Sequence, residues 1–410
     1  MGANPGVATS ADLPAVKEHR GLVVGAAAMM VAGFLTTLLS PLLAVSFARE
    51  FNFGIQSAGL LVALGQGGVA LSAFGILPFL PRLDRKRVGI AGAIVAALCL
   101  ALTGFATSFG MVLVLQIAMG LGAGLCYACA NSALAYARFP ERAFSIVTIA
   151  WMLVGAAMLT AGPTLHDLWP KVGVYLGMAV AELVCVIFIV RLPDVRTLPE
   201  HEGQSADADP DPSARIGSLV PAAILVGALF LMEVGNVMIW TFAESIGEKA
   251  GLSVQFTATF LGLSQLIGLI GSGITLALGS RVAKMYLIAP AVVVLGVGNL
   301  LVGTATGPTS YMIGFLAINL AFFCLTPLLL ALAAELDTSS GRLVVVAGGI
   351  SLVAGAVAPA VGGWIAGAGG QWSRLGVTAL LVAVVTLPLL TVPVRAAKHR
   401  AAVAADDQTT

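Results

Sequence analysis

The stretch FLMEVGNVMIW, Phe230 to Trp240, sets a glutamate and an asparagine inside an otherwise apolar run. In a soluble helix Glu233 would simply turn toward water. In a bilayer a charge near the centre costs on the order of 3 kcal/mol, and something must offset it. The meaning of the stretch therefore depends on the solvent around it. Of the 410 residues, 59% are hydrophobic and only 10% are charged, against about 25% charged in ordinary soluble domains. Glycine is abundant, at 48 residues, which suits helices that pack closely in lipid. The composition is that of a polytopic membrane protein.

A spanning helix needs roughly 20 mostly apolar residues. Twelve such runs occur, at 21–47, 57–80, 88–107, 109–136, 143–165, 172–192, 218–243, 254–279, 285–305, 309–333, 343–367 and 375–394. They are long and continuous, unlike the short alternating segments of a strand barrel. The expected fold is all-α, with twelve transmembrane helices. The first run follows a polar stretch and is too long for the apolar core of a signal peptide, so it is expected to stay as a helix. The five cysteines, Cys99, Cys126, Cys129, Cys185 and Cys324, all fall in apolar runs. The CxxC spacing of Cys126 and Cys129 is therefore expected to serve packing.

Basic residues set the orientation. Arg49, Lys171, Lys249 and Arg374 lie on one side, and the other seventeen lie on the opposite side or at its border. Both termini are expected in the cytoplasm of a cell-membrane protein. The longest polar gap, PDVRTLPEHEGQSADADPDPSARIG, is rich in proline and acid and reads as a linker. The expected organisation is an N-terminal tail (1–20), a six-helix bundle (21–192), the linker (193–217), a second bundle (218–394) and a C-terminal tail (395–410). Asp207, Asp209 and Asp211 alternate like calcium ligands, but the run lacks the glycine and terminal glutamate of an EF-hand loop. A shift of 199 residues lays Leu64-Gly65-Gln66 on Leu263-Ser264-Gln265, Arg82 on Arg281, Arg85 on Lys284 and Gly104 on Gly303. The two bundles are thus expected to be pseudo-symmetric, with a solute site between them.

With this six-plus-six pattern, a long middle gap and basic loops after the second and eighth spans, the chain resembles the major facilitator superfamily. The loop signature of that superfamily runs roughly G-x-L-x-D-R-x-G-R-R. The matching region is LPRLDRKRVG, where Asp84-Arg85 can take the D-R pair and Leu80 and Arg87 stand in place of glycines. The resemblance implies a gating role for Asp84, Arg85, Arg281 and Lys284; a basic anchor facing the cytoplasm is the other reading. Drug–proton antiporters of the superfamily carry an arginine early in helix four, where this chain has Gln116. Their G-P-x-x-G-G element in helix five is only partly kept by Gly162-Pro163. Ala358-Pro359-Ala360-Val361-Gly362-Gly363, in helix eleven, matches it better.

The resemblance also implies that helices one, four, seven and ten line a central cavity. Helical spacing offers a polar stripe on each. They are Thr36, Thr37 and Ser40; Gln116, Tyr127 and Asn131; Glu233, Asn236 and Trp240, continued by Glu244; and Asn319, Phe322 and Phe323. Gln66 and Gln265 are related by the 199-residue shift and could add amides. Interhelical hydrogen bonds are the bland alternative for each of these groups. Glu233 lies roughly 22 Å from the cytoplasmic start of its run at 1.5 Å per residue. A carboxyl group that met water on alternate sides could take a proton on one side and release it on the other. Glu182, on the sixth run, is a second candidate for proton coupling. No lysine or arginine lies deep in any run, which favours a neutral, amphipathic or cationic solute. No GxSxG, HExxH or Walker sequence is found, so no enzyme activity, metal, cofactor or nucleic-acid partner is expected.

These readings converge on a secondary transporter of a small organic solute, proton-linked and working as a monomer. An uncoupled facilitator, or a receptor or sensor that keeps the fold without transport, remain the alternatives.

Overall fold

A computed structural model describes residues 12–80, 82–134, 137, 140–193, 212–279, 281–337 and 342–407. Most of the linker, the first eleven residues and Arg138 lie outside these, as do the three alternating aspartates. Every regular element among the described residues is helical.

The first half holds α1 (Asp12–Leu38), α2 (Ser40–Arg49), α3 (Gly54–Gly75), a short 3₁₀ turn (Leu77–Phe79), α4 (Arg85–Thr103), α5 (Phe109–Leu134), α6 (Pro140–Leu168) and α7 (Gly173–Ile189). The second holds α8 (Pro212–Thr241), α9 (Ala243–Lys249), α10 (Val254–Ser264), α11 (Ile267–Leu278), α12 (Lys284–Gly303), α13 (Pro308–Leu336), α14 (Arg342–Ala366) and α15 (Trp372–Asp407). The extra elements arise because two crossings are interrupted and a short helix follows a third. The first breaks at Leu39, ahead of Pro41, which sits in the first turn of α2. The eighth breaks at Gln265, and α9 follows the end of the seventh at Phe242. Around Gln265 the backbone shortens to i→i−3 bonds, from Leu266 to Leu263 and from Gly268 to Gln265, the tighter 3₁₀ pattern.

Among the described residues, eleven helical segments are long and apolar enough to cross a bilayer. The remaining expected crossing, α7, has 17 residues, about 26 Å of helix. It is the shortest against a hydrocarbon core of about 30 Å. The fold is therefore the expected all-α membrane bundle, with one crossing at the lower limit of length. The outward faces are apolar, with Leu276 87% and Trp364 76% exposed. In water such faces would aggregate; in lipid they are solvated. The last helix extends past residue 394, the expected end of its crossing, to Asp407.

Small residues bring the backbones together. A Cβ on Gly120 would stand 1.9 Å from the Gly65 carbonyl oxygen, so α3 and α5 meet only because that position has no side chain. The 199-residue relation survives at the basic loops. Arg85, buried at the start of α4, donates from Nε to Ser132 Oγ near the end of α5 at 2.8 Å. Lys284, at the start of α12, pairs with Glu335 near the end of α13. Asp84 caps α4, accepting from the backbone N–H of Lys86 and Arg87, while Arg281 is exposed.

Candidate functional site

The two halves meet along two seams. One is α3 against α14 and the other is α6 against α10. At the first, a Cβ on Gly59 would stand 2.4 Å from the Pro359 carbonyl oxygen. Gly362 and Gly363, from the glycine-rich element of helix eleven, lie against Met238 and against the Ile55 carbonyl. That element therefore forms part of the contact between halves. At the second seam, Gln255 Nε2 donates to the Thr160 carbonyl at 2.9 Å. A cleft of about 490 Å³ opens here, lined by Ala156, Ala157, Thr160, Ala161, Thr164, Gln255 and Leu263. It lies apart from the stripes read from the sequence.

The seams are unequal from one membrane face to the other. On the face with few basic residues, α2 packs on α8 and α9, and Arg49 forms an ion pair with Glu248 across the halves. Toward the basic loops the α3–α14 seam continues, with Phe74 against Gly349, whereas the second seam is made mainly by α10. The interior between the halves is thus closed on the sparsely charged face.

Glu233 stands in this interior. Its span is Leu219–Thr241, which places it about 4–5 Å from the middle at 1.5 Å per residue. It is buried, it pairs with the Ser351 hydroxyl of α14, and it lies within electrostatic range of Tyr127 from the other half. Tyr127 stacks on Phe34 with ring centres 6.1 Å apart, and Phe34 meets Trp151 at 5.1 Å. Asn131, one turn along from Tyr127, donates to the Tyr127 carbonyl at 2.9 Å. Asn236 and Trp240 continue the Glu233 face half-buried, with Trp240 edge-on to Phe315 at 6.3 Å.

The other residues named from the sequence scatter around this centre. Thr37 donates to Gln66 Oε1 at 2.7 Å, beside Gly355 of the α3–α14 seam. Thr36 and Ser40 are buried, and the Thr36 hydroxyl has no hydrogen bond among the described residues. Gln116 turns into its own half, toward Thr103 of α4 at 3.5 Å. Asn319 donates to Ser264 Oγ at 3.0 Å, which ties α13 to the break in the eighth crossing. Gln265, at that break, is buried, and its amide nitrogen has no partner among the described residues. Phe322 and Phe323 meet edge to face at 5.5 Å, and the Phe323 ring covers Gly268. Glu182 is enclosed within the first half, with Cys126 and Cys185 in electrostatic range and neither oxygen hydrogen-bonded among the described residues. No cluster of three metal-ligating side chains is found among the described residues.

Sequence reasoning missed Phe34, Trp151 and Ser351. An aromatic in an apolar run gives no signal of its own, and Ser351 is one of many small residues in its run. Only the crossing of helices places them beside Tyr127 and Glu233.

Known proteins bear on this arrangement. The family model of the Major Facilitator Superfamily matches residues 25–347. The chain is 26% identical over 262 residues to the uncharacterised MFS-type transporter YceJ of Bacillus subtilis, covering 62% of this chain and 65% of that protein. It is 23% identical over 269 residues to the purine ribonucleoside efflux pump NepI of Shigella sonnei, covering 64% of each. The matches thus span just under two thirds of the length of these curated relatives. Among solved structures, a mutant of the nucleoside transporter NupG superposes with a TM-score of 0.67 at 14% identity, over 92% of this chain and 99% of that one. A D-xylose–proton symporter superposes at 0.65 with 13% identity, over 91% and 96%. A bacterial homologue of the human lysosomal transporter Spinster, inward-facing and unoccupied, gives 0.63 at 15%, over 93% and 97%. At these identities the structures show the fold alone, and the family match decides the rest. The chain belongs to the major facilitator superfamily, a family of multi-pass membrane transporters.

Proposed function

We propose that this protein is a secondary transporter that moves a small organic solute by alternating access, coupled to protons through Glu233. The observation that carries the reading is the position of Glu233. It is a carboxyl group near the middle of a span, set between Ser351 of one half and Tyr127 of the other. A rocking motion of one half against the other would change what surrounds it. The groups around it are aromatic rings, hydroxyls and amides, with no lysine or arginine deep in any run. Such a lining suits a neutral or cationic solute with a flat apolar face and polar edges, since buried polar edges need partners and rings stack. A purine nucleoside has that chemistry, and two of the similar proteins are named for nucleosides. It is the first solute to test. The basic loops mark the cytoplasmic face in this reading, with both termini in the cytoplasm and the Arg49–Glu248 pair on the outer face. No further subunit is needed for the path, and the protein works as a monomer.

The test is flux into proteoliposomes. A thermal-shift screen of nucleosides, pentoses and organic cations on purified protein supplies candidates, and radiolabelled uptake follows under an imposed pH gradient. Saturable uptake that rises with the gradient supports the proposal. Uptake indifferent to the gradient would favour an uncoupled facilitator. Binding with no flux in either direction would favour a receptor.

A further inference from the structure

The closed face holds charge chemistry that the solute path does not use. Here α2 ends in Arg49, followed by Glu50, and α9 carries Glu244, Glu248 and Lys249. Arg49 pairs with Glu248 across the halves. His166, near the end of α6, sets Nδ1 2.9 Å from Glu50 Oε1. Glu244 differs from these: it is 5% exposed, and neither carboxyl oxygen has a hydrogen-bond partner among the described residues.

The elements packed around α9 bring few charges to bear on it. The α10 sequence holds no ionisable residue. On α8 the nearest ionisable residue is Glu233, eleven positions away. Tyr311 of α13 donates to the Ala243 carbonyl at 2.9 Å and lies within electrostatic range of Glu244. From α2 comes Arg49, the one favourable charge acting on Glu244, and it already serves Glu248. An ionised carboxylate in this place is poorly compensated. Burial pushes the Glu244 carboxyl up to about 7, against the pull of Arg49.

We propose that Glu244 is a proton-operated latch of the closed face, protonated while α2 and α9 are together and ionised when they part and water reaches it. The latch rests on the alternating-access reading. It is separate from Glu233, since α9 lies beyond the end of the span at Thr241. The sign follows from linkage. The closed arrangement has the raised value, about 7, and the hydrated one the ordinary glutamate value of about 4.3. The closed arrangement therefore binds the proton more tightly, and acid favours closure. That preference is complete below the ordinary value and is lost as pH rises through about 7. An ionised Glu244 would also compete with Glu248 for Arg49, which loosens the Arg49–Glu248 pair across the halves.

The test reads the separation of the two halves directly and needs no solute. Spin labels go on Thr107 and Thr306, which are exposed in loops of the closed face, one in each half. The native cysteines among the described residues are buried and are replaced if they label. Distances are measured by pulsed electron paramagnetic resonance on the full chain in lipid nanodiscs. From pH 7.5 to 5.5 the ratio of short to long distances should rise roughly ten- to twentyfold. Glu244→Gln should hold the short distance throughout. Glu248→Gln frees Arg49 for Glu244 and should keep the response but move its midpoint to lower pH. His166→Gln should leave the midpoint unchanged. A wild-type response in Glu244→Gln, loss of the response in His166→Gln, or an unmoved midpoint in Glu248→Gln would each overturn the latch. A separation that changes with solute but not with pH removes the latch and leaves alternating access standing. One fixed distance under every condition removes both.

Discussion

Glu182 and Glu233 are both glutamates deep in helical crossings, and their surroundings could hardly differ more. Glu182 is sealed inside the first half, fully buried among helices of its own bundle, with no hydrogen bond to either oxygen among the described residues. Glu233 stands where the two halves face each other, with Ser351 from one and Tyr127 from the other in reach. A group inside a rigid bundle keeps its neighbours as the halves rock. A group at the boundary exchanges them. Only the second can couple a proton to motion, because a ligand shifts an equilibrium by its differential affinity for the two states. The same residue type therefore has different prospects on either side of a packing boundary.

The strongest way to break this comparison is Glu233→Gln. It should abolish solute accumulation driven by a pH gradient, a fall of tenfold or more, while solute binding persists. Glutamine keeps the size and hydrogen bonding but carries no titrating proton. Gradient-driven uptake at the wild-type rate in proteoliposomes would take Glu233 out of the mechanism. Next in size is Gly120→Val, which tests the rigidity ascribed to the first half. Its Cβ would meet the Gly65 carbonyl, so thermal stability should fall by about 1–3 kcal/mol or more. An unchanged melting temperature would mean the bundle yields easily, and the contrast with the boundary would weaken.

A smaller effect is expected from cysteines at Asn131 and Asn236, which flank the boundary half-buried. Each should react with small polar thiol reagents in a background lacking native cysteines, and solute should slow the reaction several-fold. Inertness under all conditions would show that these faces are packed. The smallest effect belongs to Glu182→Gln. Uptake should remain within about twofold of wild type, and stability should hold or rise slightly, because the change removes an uncompensated buried acid. Loss of gradient-driven uptake in this variant would place the proton path through the first half instead.

Orientation has its own check. Reporter fusions after Arg142 and after Arg400 should both report cytoplasm, and an external signal from either would invert the assignment of faces.

The bilayer made most of the fold legible in advance. Long apolar runs have one economical solution in lipid, because every backbone group must be satisfied within the segment. The 199-residue relation likewise pointed to paired loops, and Arg85–Ser132 and Lys284–Glu335 occupy equivalent places in the two halves. Glycine content announced close packing without saying which helices would meet. Periodicity also placed Glu233, Asn236 and Trp240 on one face, because helical geometry is local. What periodicity cannot say is where a face points. Gln116 shares a stripe with Tyr127, yet it reaches Thr103 inside its own half. Phe34, Trp151 and Ser351 join the centre from other crossings. The breaks at Leu39 and Gln265 interrupt runs that look continuous. Composition and local periodicity thus determined the solvent, the element type and the repeat. Tertiary structure alone decided which polar groups stand at the boundary between halves, because that depends on helix rotation and on contacts across hundreds of residues.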